Sequence, residues 1–468
     1  MSLTAMLFLI SYFGGICAAI FNPVAGIALY ILVYHLNPQT QWWGASVQAL
    51  GSRMSFTVAL ATAVGVLIRQ PRLQYGAKQF PLTYGLAIVF GVIAIGSLLW
   101  GVDFTSRGQY QAEKYVKELI WLFIMIRCIR TPTHYQIVIL SWMAGVLYMG
   151  YQAQGGVGLT VGGRLTEGLG GPDFDESSDL AVHLVATLPL VGAVFFMSRT
   201  WVGRTFALIT GALAVNMLIM TRTRNAIAGL TLVMLACVLT LPRGYRVKGV
   251  AAVIAGAILS MHLTDPGWWN RMATIQNYQS DEAALGRLTY WQAAFDMVCD
   301  YPFGIGLGNF HHTVMDYVPN LKIIRGAHST PMACLAELGW LGLFIFGIIV
   351  FVTLRRLGQT RRLAHTLDDH TEIRFGRWRS RFHLGWHATA LRAGLLGYLG
   401  CGLFTTRLFS EDFWLLMGMA MCLHNVGKYI AGETELDRPL GVESLKLPEI
   451  SPADSHTPVG VPHVPGQA

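Results

Sequence analysis

Apolar and polar positions along this chain come in blocks rather than in alternation. About thirteen apolar runs lie near 4–21, 24–37, 54–68, 80–100, 115–130, 134–154, 180–197, 205–220, 225–241, 248–263, 329–354, 386–407 and 412–430. Each is near, or somewhat short of, the ~20 residues a helix needs to cross a bilayer. The pattern predicts an all-α, polytopic transmembrane helical bundle with about 12–13 spans over residues 1–432. Pro23 separates the first two runs, and the second and third are short. The first two therefore read either as two spans or as a hairpin that does not fully cross. The N-terminus has no basic stretch and no small-residue cleavage site, so it reads as a first span or anchor and not as a removed signal peptide. From residue 433 prolines recur, which predicts a disordered tail over 433–468.

The polar connections alternate in charge. Arg69, Arg72 and Lys78 fall in one, Arg127 and Arg130 in another, then Arg199 and Arg204, then Arg243, Arg246 and Lys248. The segment 355–385 is arginine-rich. The intervening segments 155–179 and 264–328 are net acidic. Positive connections face the cytoplasm, so the acidic ones are expected outside, in the periplasm of an inner-membrane protein, and the C-terminus inside. The longest outward segment, 264–328, is not low in complexity. Leu285, Leu288, Trp291, Phe295 and Val298 recur at helical spacing and predict an amphipathic helix ended by Pro302. A turn rich in glycine follows at Gly304, Gly306 and Gly308. A structured loop of this length inside a membrane protein is usually functional.

Composition narrows the classes. Hydrophobic residues make up 53% and charged residues 13%, about half the ~25% charged content of soluble domains. A soluble enzyme, a nucleic-acid-binding domain and a disordered scaffold are excluded. The formal charge of +8 sits in the short clusters of membrane loops, so no nucleic-acid partner follows from it. The seven cysteines are odd in number, contain no CxxC and lie mostly in apolar runs. They predict neither a disulfide framework nor a zinc site.

Chemistry is carried by residues that break the membrane pattern. Arg222 and Arg224, in "MTRTRNAIAGL", sit in a tight turn that topology puts outside, where arginines are disfavoured. They read as anion-binding forks beside a helix start at Asn225, or alternatively as interfacial arginines snorkelling to headgroups. Arg287, near the start of the amphipathic helix, is electrostatically misplaced there. It is either an anion contact or a solvated arginine. His328 stands where the outer loop enters a long apolar span and has a pKa suited to taking a hydroxyl proton. The alternative is a hydrogen-bonded interfacial histidine. Glu337, nine residues on, needs a partner at that depth and reads as supporting or structural. His311, His312 and Asp316 suggest a metal only weakly, because adjacent histidines point apart. Arg407, Glu411 and Asp412 at another outward turn read as an ion-pair cluster. No Walker motif, GxSxG or HExxH occurs, and "GIGLGNF" does not follow a strand as a dinucleotide loop would. No metal and no cofactor is expected.

"GRLTYWQAAFDMVCDYPFGIGLGNF" followed by "AHSTPMACLAELGWLGLFIF" resembles the signature of the O-antigen ligase/polymerase superfamily. That signature runs Arg–apolar–x–x–Trp, then Pro–x–Gly–x–Gly–x–x–x–Phe, then a histidine and Glu–x–Gly–x–x–Gly. "TRTRNAIAGL" is similar to the family's Ser-x-Ser-Arg-Gly-like turn, and 171–190 to a segment that often reads Asp-x-Asn, whose asparagine is missing here. The layout further resembles the O-glycosylation ligases associated with exosortase systems. The resemblance implies an inverting, membrane-embedded, metal-independent glycosyltransferase. It would move a glycan from a polyprenyl (undecaprenyl) diphosphate to an acceptor hydroxyl on a lipid, protein or glycan at the periplasmic face. On that reading Arg224 and Arg287, helped by Arg222, bind the diphosphate, and His328 takes the acceptor proton. A polysaccharide polymerase of the same superfamily, a lipid-glycan transporter or flippase, and a structural subunit are the alternatives.

Overall fold

The computed structural model describes residues 2–48, 53–69, 81–160, 162–166, 169–174, 176–240, 246–247, 250–251, 254, 267–269, 282–319, 324–367, 371–375 and 378–432. The apolar run expected at 248–263 lies mostly outside the described residues, and the proline-rich tail wholly so. Among them are fifteen α-helices. The chain is an all-α, polytopic helical protein with one short hairpin.

In the N-terminal half, α1 is Leu3–Phe21, α2 Pro23–Leu36, α3 Ala45–Gln48, α4 Met54–Arg69, α5 Leu82–Trp100, α6 Ser106–Cys128 and α7 Pro132–Gln154. Then come α8 Ser177–Met197, α9 Trp201–Thr221, α10 Asn225–Thr240, α11 Glu282–Asp300, α12 Phe310–Tyr317 and α13 Thr330–Thr366. A hairpin of β1 Thr371–Phe375 and β2 Trp378–Phe382 precedes α14 Leu384–Gly402 and α15 Glu411–Ile430. Five helices, α1, α5, α8, α9 and α13, are long and apolar enough to cross a membrane, and α4 and α10 are shorter apolar helices. The more polar α14 and α15 are mostly buried against their neighbours.

Local chemistry sets the boundaries. Between α1 and α2, Asn22 ends the first helix by donating its N–H to the Ala18 carbonyl and caps the second by accepting from the Val24 N–H at 3.1 Å, with Pro23 at the first helical position. Thr105, Thr131 and Thr200 cap α6, α7 and α9 in the same way. Small residues bring α8, α10 and α14 into near backbone contact. A Cβ at Gly229 would lie 2.7 Å from the Gly397 carbonyl oxygen, and one at Gly394 would lie 2.6 Å from that of Ala186.

Two sequence expectations shift. The apolar run at 329–354 becomes a helix that continues to Thr366, because Leu357, Thr360 and Ala364 keep a buried stripe beneath the arginines. The arginine-rich segment is therefore helix and hairpin, with β2 bridged to Ser198 and Phe382 buried against Tyr135. In α11 the helix is where the spacing put it, but it is rotated. Tyr290, Ala293, Ala294, Met297 and Val298 face inward, while Leu285, Leu288 and Phe295 are exposed. Close packing on α12 and α13 selects the smaller residues for the inner face.

The connections gather at two ends. At one, Val102 pairs with Ile305, Arg164 with Thr221, and Arg407 with the Asp173 carbonyl. At the other, Arg199 pairs with the Arg379 carbonyl and Arg361 with that of Thr240.

Candidate functional site

The site is organised by a break in α13. Gly339 has φ +67° and ψ −169°, a conformation open essentially to glycine alone. The break frees the Ala336 and Glu337 carbonyls, and the glycine turn takes them. Ile305 N–H donates to Ala336 at 2.9 Å, Gly306 N–H to Glu337 at 3.0 Å, and Trp340 N–H returns to Pro302 at 3.2 Å. All three turn glycines have positive φ, and a Cβ at Gly304 would sit 2.4 Å from the Glu337 carbonyl oxygen. Glu337 Oε1 accepts from the Phe310 N–H at 3.4 Å, at the start of α12. The Pro–x–Gly–x–Gly and Glu–x–Gly elements are thus two halves of one joint. Glu337 serves as its clasp, the structural reading of this residue.

Against this joint lies a cavity of about 460 Å3. Its wall takes Arg107 and Lys114 from α6, Asp173, Glu176 and Asp179 from the 155–179 segment, His311 from α12, His328 and Glu337 from the entry to α13, and Arg407 from the α14–α15 turn. Trp291 of α11 donates to the Ala327 carbonyl at 3.0 Å and holds the His328 loop. The Thr330 hydroxyl donates to the Thr405 carbonyl and accepts from the Arg407 N–H, both at 2.9 Å, which stitches that loop to the α14–α15 turn.

The floor is charge-compensated. Arg407 is buried, with Asp412 at 2.7 Å and Asp179 at 3.6 Å, and its Nε donates to the Tyr398 hydroxyl at 3.2 Å. Those carboxylates hold its pKa well above the ordinary value against the cost of burial. Of the ion-pair cluster that the sequence suggests, Arg407 and Asp412 pair, while Glu411 makes no ion pair with a described residue and Asp179 takes its place. The cluster extends inward by His183 Nδ1 at 3.4 Å from Asp412 and by His35 at 3.2 Å from His183. Lys114 is paired with Asp173. Arg107, at the exposed edge, makes no ion pair with a described residue.

His328 is half-buried and has φ +45°, one of three described non-glycine residues with positive φ. Its Nε2 is buried and meets no hydrogen-bond partner. Burial lowers its pKa; Glu176 pulls the other way, and the charges of Arg287 and Arg325 add to the lowering. A neutral imidazole with an unused nitrogen, facing a cavity, is a competent proton acceptor.

Of the residues singled out from sequence, His328 and Glu337 line the cavity, and Arg287 is close enough for its charge to act on His328. Arg222 and Arg224 occupy the α9–α10 turn, as expected, and are not among the lining residues. Arg222 is itself the left-handed residue that ends α9. That turn adjoins Ser177 and Ser178, which lie between the lining residues Glu176 and Asp179. Asn225 donates to the Ser178 carbonyl at 3.2 Å, and Arg164 joins the Thr221 carbonyl at 3.0 Å to the Ser177 hydroxyl at 2.6 Å. Among the described residues no group of three or more His, Cys, Asp or Glu is arranged to hold a metal ion.

The sequence reading missed Arg107 and Lys114. The signal was present: the charge alternation expects both at an outer helix end, where positive charge is disfavoured, and they are seven residues apart on one face. It also left the 173–179 acids without a role, although Asp173, Glu176 and Asp179 line the cavity.

Residues 206–347 match the family model described as Wzy_C, O-antigen ligase. The match starts within α9 and ends within α13, so it spans the arginine turn, α11, the glycine turn, His328 and the α13 break. No curated protein matches the chain. Residues 206–347 are thus similar to an O-antigen ligase domain, a glycosyltransferase-type family, in a chain with five helices long and apolar enough to cross a membrane.

Proposed function

We propose that the cavity transfers a glycan from a polyprenyl diphosphate to an acceptor hydroxyl, with inversion and without a metal, at the periplasmic face of a bacterial inner membrane. Residues 1–432 form the membrane domain and 264–328 its catalytic loop. The observation that carries the reading is His328: a strained, half-buried imidazole whose Nε2 has no protein partner at the wall of a polar cavity that also takes Arg107.

In the step, the acceptor oxygen forms a bond to the anomeric carbon from the face opposite the diphosphate. The bond from that carbon to the phosphate oxygen breaks, and the electron pair leaves with the lipid diphosphate. His328 takes the hydroxyl proton. Negative charge grows on the departing phosphate, so fixed guanidinium forks lower the barrier. Arg287 supplies one fork, and Arg224, helped by Arg222, supplies the second from the α9–α10 turn. Arg107 adds a cation at the cavity edge. The diphosphate is already an activated leaving group, so no nucleotide is required.

The lipid tail has a place to go. An apolar groove of about 420 Å3 runs along α13 between Trp340 and Phe351 and begins one residue past the Gly339 break. A donor with its diphosphate at the cavity can lay its hydrocarbon there, in the lipid.

The test is turnover. Purified protein in lipid nanodiscs is given an undecaprenyl diphosphate glycan, chelator and an envelope extract, with no nucleotide. Release of undecaprenyl diphosphate that is lost in His328→Ala and Arg287→Ala supports the reading. No release by the wild type with any acceptor fraction rejects it in favour of a transporter or accessory subunit.

A further inference from the structure

A second imidazole faces the same cavity. His311, at the start of α12, lines it together with His328. The Nδ1 of His311 is buried without a hydrogen-bond partner, as the Nε2 of His328 is. Two such atoms in one cavity are hydrogen-bonding capacity that a ligand entering it can meet. The rings come from different elements, and both are anchored. The residue before His311 is pinned through the Phe310 N–H to Glu337. Gly326 lies against the ring edge, where a Cβ would come within 3.2 Å of Cε1. Trp291 holds the strand of loop that carries both Gly326 and His328.

We propose that His311 is the acceptor-holding residue of this cavity, binding a hydroxyl of the incoming acceptor beside His328. The inference rests on the transferase reading above and adds the residue that receives the second substrate. Burial, then the Arg107 charge and His328 in its protonated form, push the His311 pKa down to about 4. The ring is therefore neutral at physiological pH, with one N–H and one lone pair. That pairing matches a hydroxyl, which both donates and accepts. It does not match a diphosphate, which wants cations, and the cavity supplies those separately through arginine. His311 thus assigns one wall of the cavity to a neutral, hydroxylated acceptor. It takes no proton in the reaction; His328 does.

The experiment uses the full chain in nanodiscs with undecaprenyl diphosphate glycan as donor. The acceptor probe is the detergent extract of envelopes from host cells lacking this chain, which holds unmodified acceptor whatever its identity. Release of undecaprenyl diphosphate is followed against the amount of extract. His311→Ala is expected to raise the half-saturating amount about tenfold or more, the worth of one good hydrogen bond, with donor affinity unchanged. His311→Gln, which keeps a donor and an acceptor, is expected to recover most of the loss and guards against misfolding of the alanine variant. His328→Ala is expected to lower the maximal rate instead. The inference is overturned if His311→Ala leaves half-saturation unchanged, or if it weakens donor binding as much as acceptor use. If the wild type releases nothing at any amount of extract, the transferase reading falls and takes this inference with it.

Discussion

Replacing Gly339 by alanine perturbs the joint on which the cavity rests. At φ +67° and ψ −169° an alanine costs about 1–3 kcal/mol of backbone strain. Its Cβ would also lie 2.3 Å from the Pro302 carbonyl oxygen and 2.5 Å from the Phe303 carbonyl carbon, so the turn must move away. Movement lengthens three hydrogen bonds, from Ile305, Gly306 and Trp340, each worth about 0.5–1.5 kcal/mol net. Full loss of the three bonds together with the strain would lower the local opening free energy by about 2.5–7.5 kcal/mol, and lengthening short of full loss places the fall at about 3–5 kcal/mol. At 1.4 kcal/mol per factor of ten, the amides of Ile305, Gly306 and Trp340 are expected to exchange hydrogen at least about a hundredfold faster. Amide exchange read by mass spectrometry on peptides covering 302–310 and 336–345 measures this directly. Transfer activity is expected to fall with it, because His311 and Glu337 hang on the same joint. Gly192→Ala in α8, where a Cβ meets nothing within 4 Å, is the control and is expected to change neither. Exchange in Gly339→Ala within threefold of the wild type would refute the reasoning.

Other consequences follow from single contacts. The acid limb of kcat/KM should have its midpoint below the ordinary histidine value of about 6.5, because burial, Arg287 and Arg325 disfavour the protonated His328. Glu176 favours it, so Glu176→Gln should move the midpoint further down and Arg325→Gln should move it up. Shifts in the opposite sense would remove His328 as the titrating base. Glu337→Gln keeps an oxygen for the Phe310 N–H and should keep most activity, whereas Glu337→Ala should lose it along with stability. Equal loss in both would make the carboxylate a participant in the chemistry. Asp412→Ala strands the buried Arg407 and should destabilise the protein by about 3–5 kcal/mol in a thermal melt in detergent. A change below about 1 kcal/mol would mean that Asp179 suffices.

The sequence made the helices legible because apolar runs of spanning length have few alternatives in a bilayer. The asparagine and proline between α1 and α2 and the glycine turn were equally readable, since their backbone demands are local. Residues that met the cavity from one stretch of loop, such as His328, stood out for the same reason. Lys114, Asp173 and Arg407 did not. They lie 59 and 234 residues apart and meet only through tertiary contact. The facing of α11 was misjudged because hydrophobicity ranks Leu285 and Phe295 above Ala293 and Ala294, while close approach to α12 and α13 ranks them the other way. The break at Gly339 explains, after the fact, why a Glu–x–Gly and a Pro–x–Gly–x–Gly occur in one chain.

The most direct test is to locate the donor. A cryo-EM map of the full chain in nanodiscs, with a polyprenyl phosphonate-phosphate glycan that cannot be cleaved, would show where the diphosphate sits. It is expected beside Arg287, with the first sugar in the cavity, its anomeric carbon open toward His328, and the hydrocarbon along α13 from Trp340 to Phe351. A diphosphate bound at the arginine-rich end near β1 and β2, or a donor whose anomeric carbon lies beyond reach of His328, would contradict the assignment of this cavity as the transfer site.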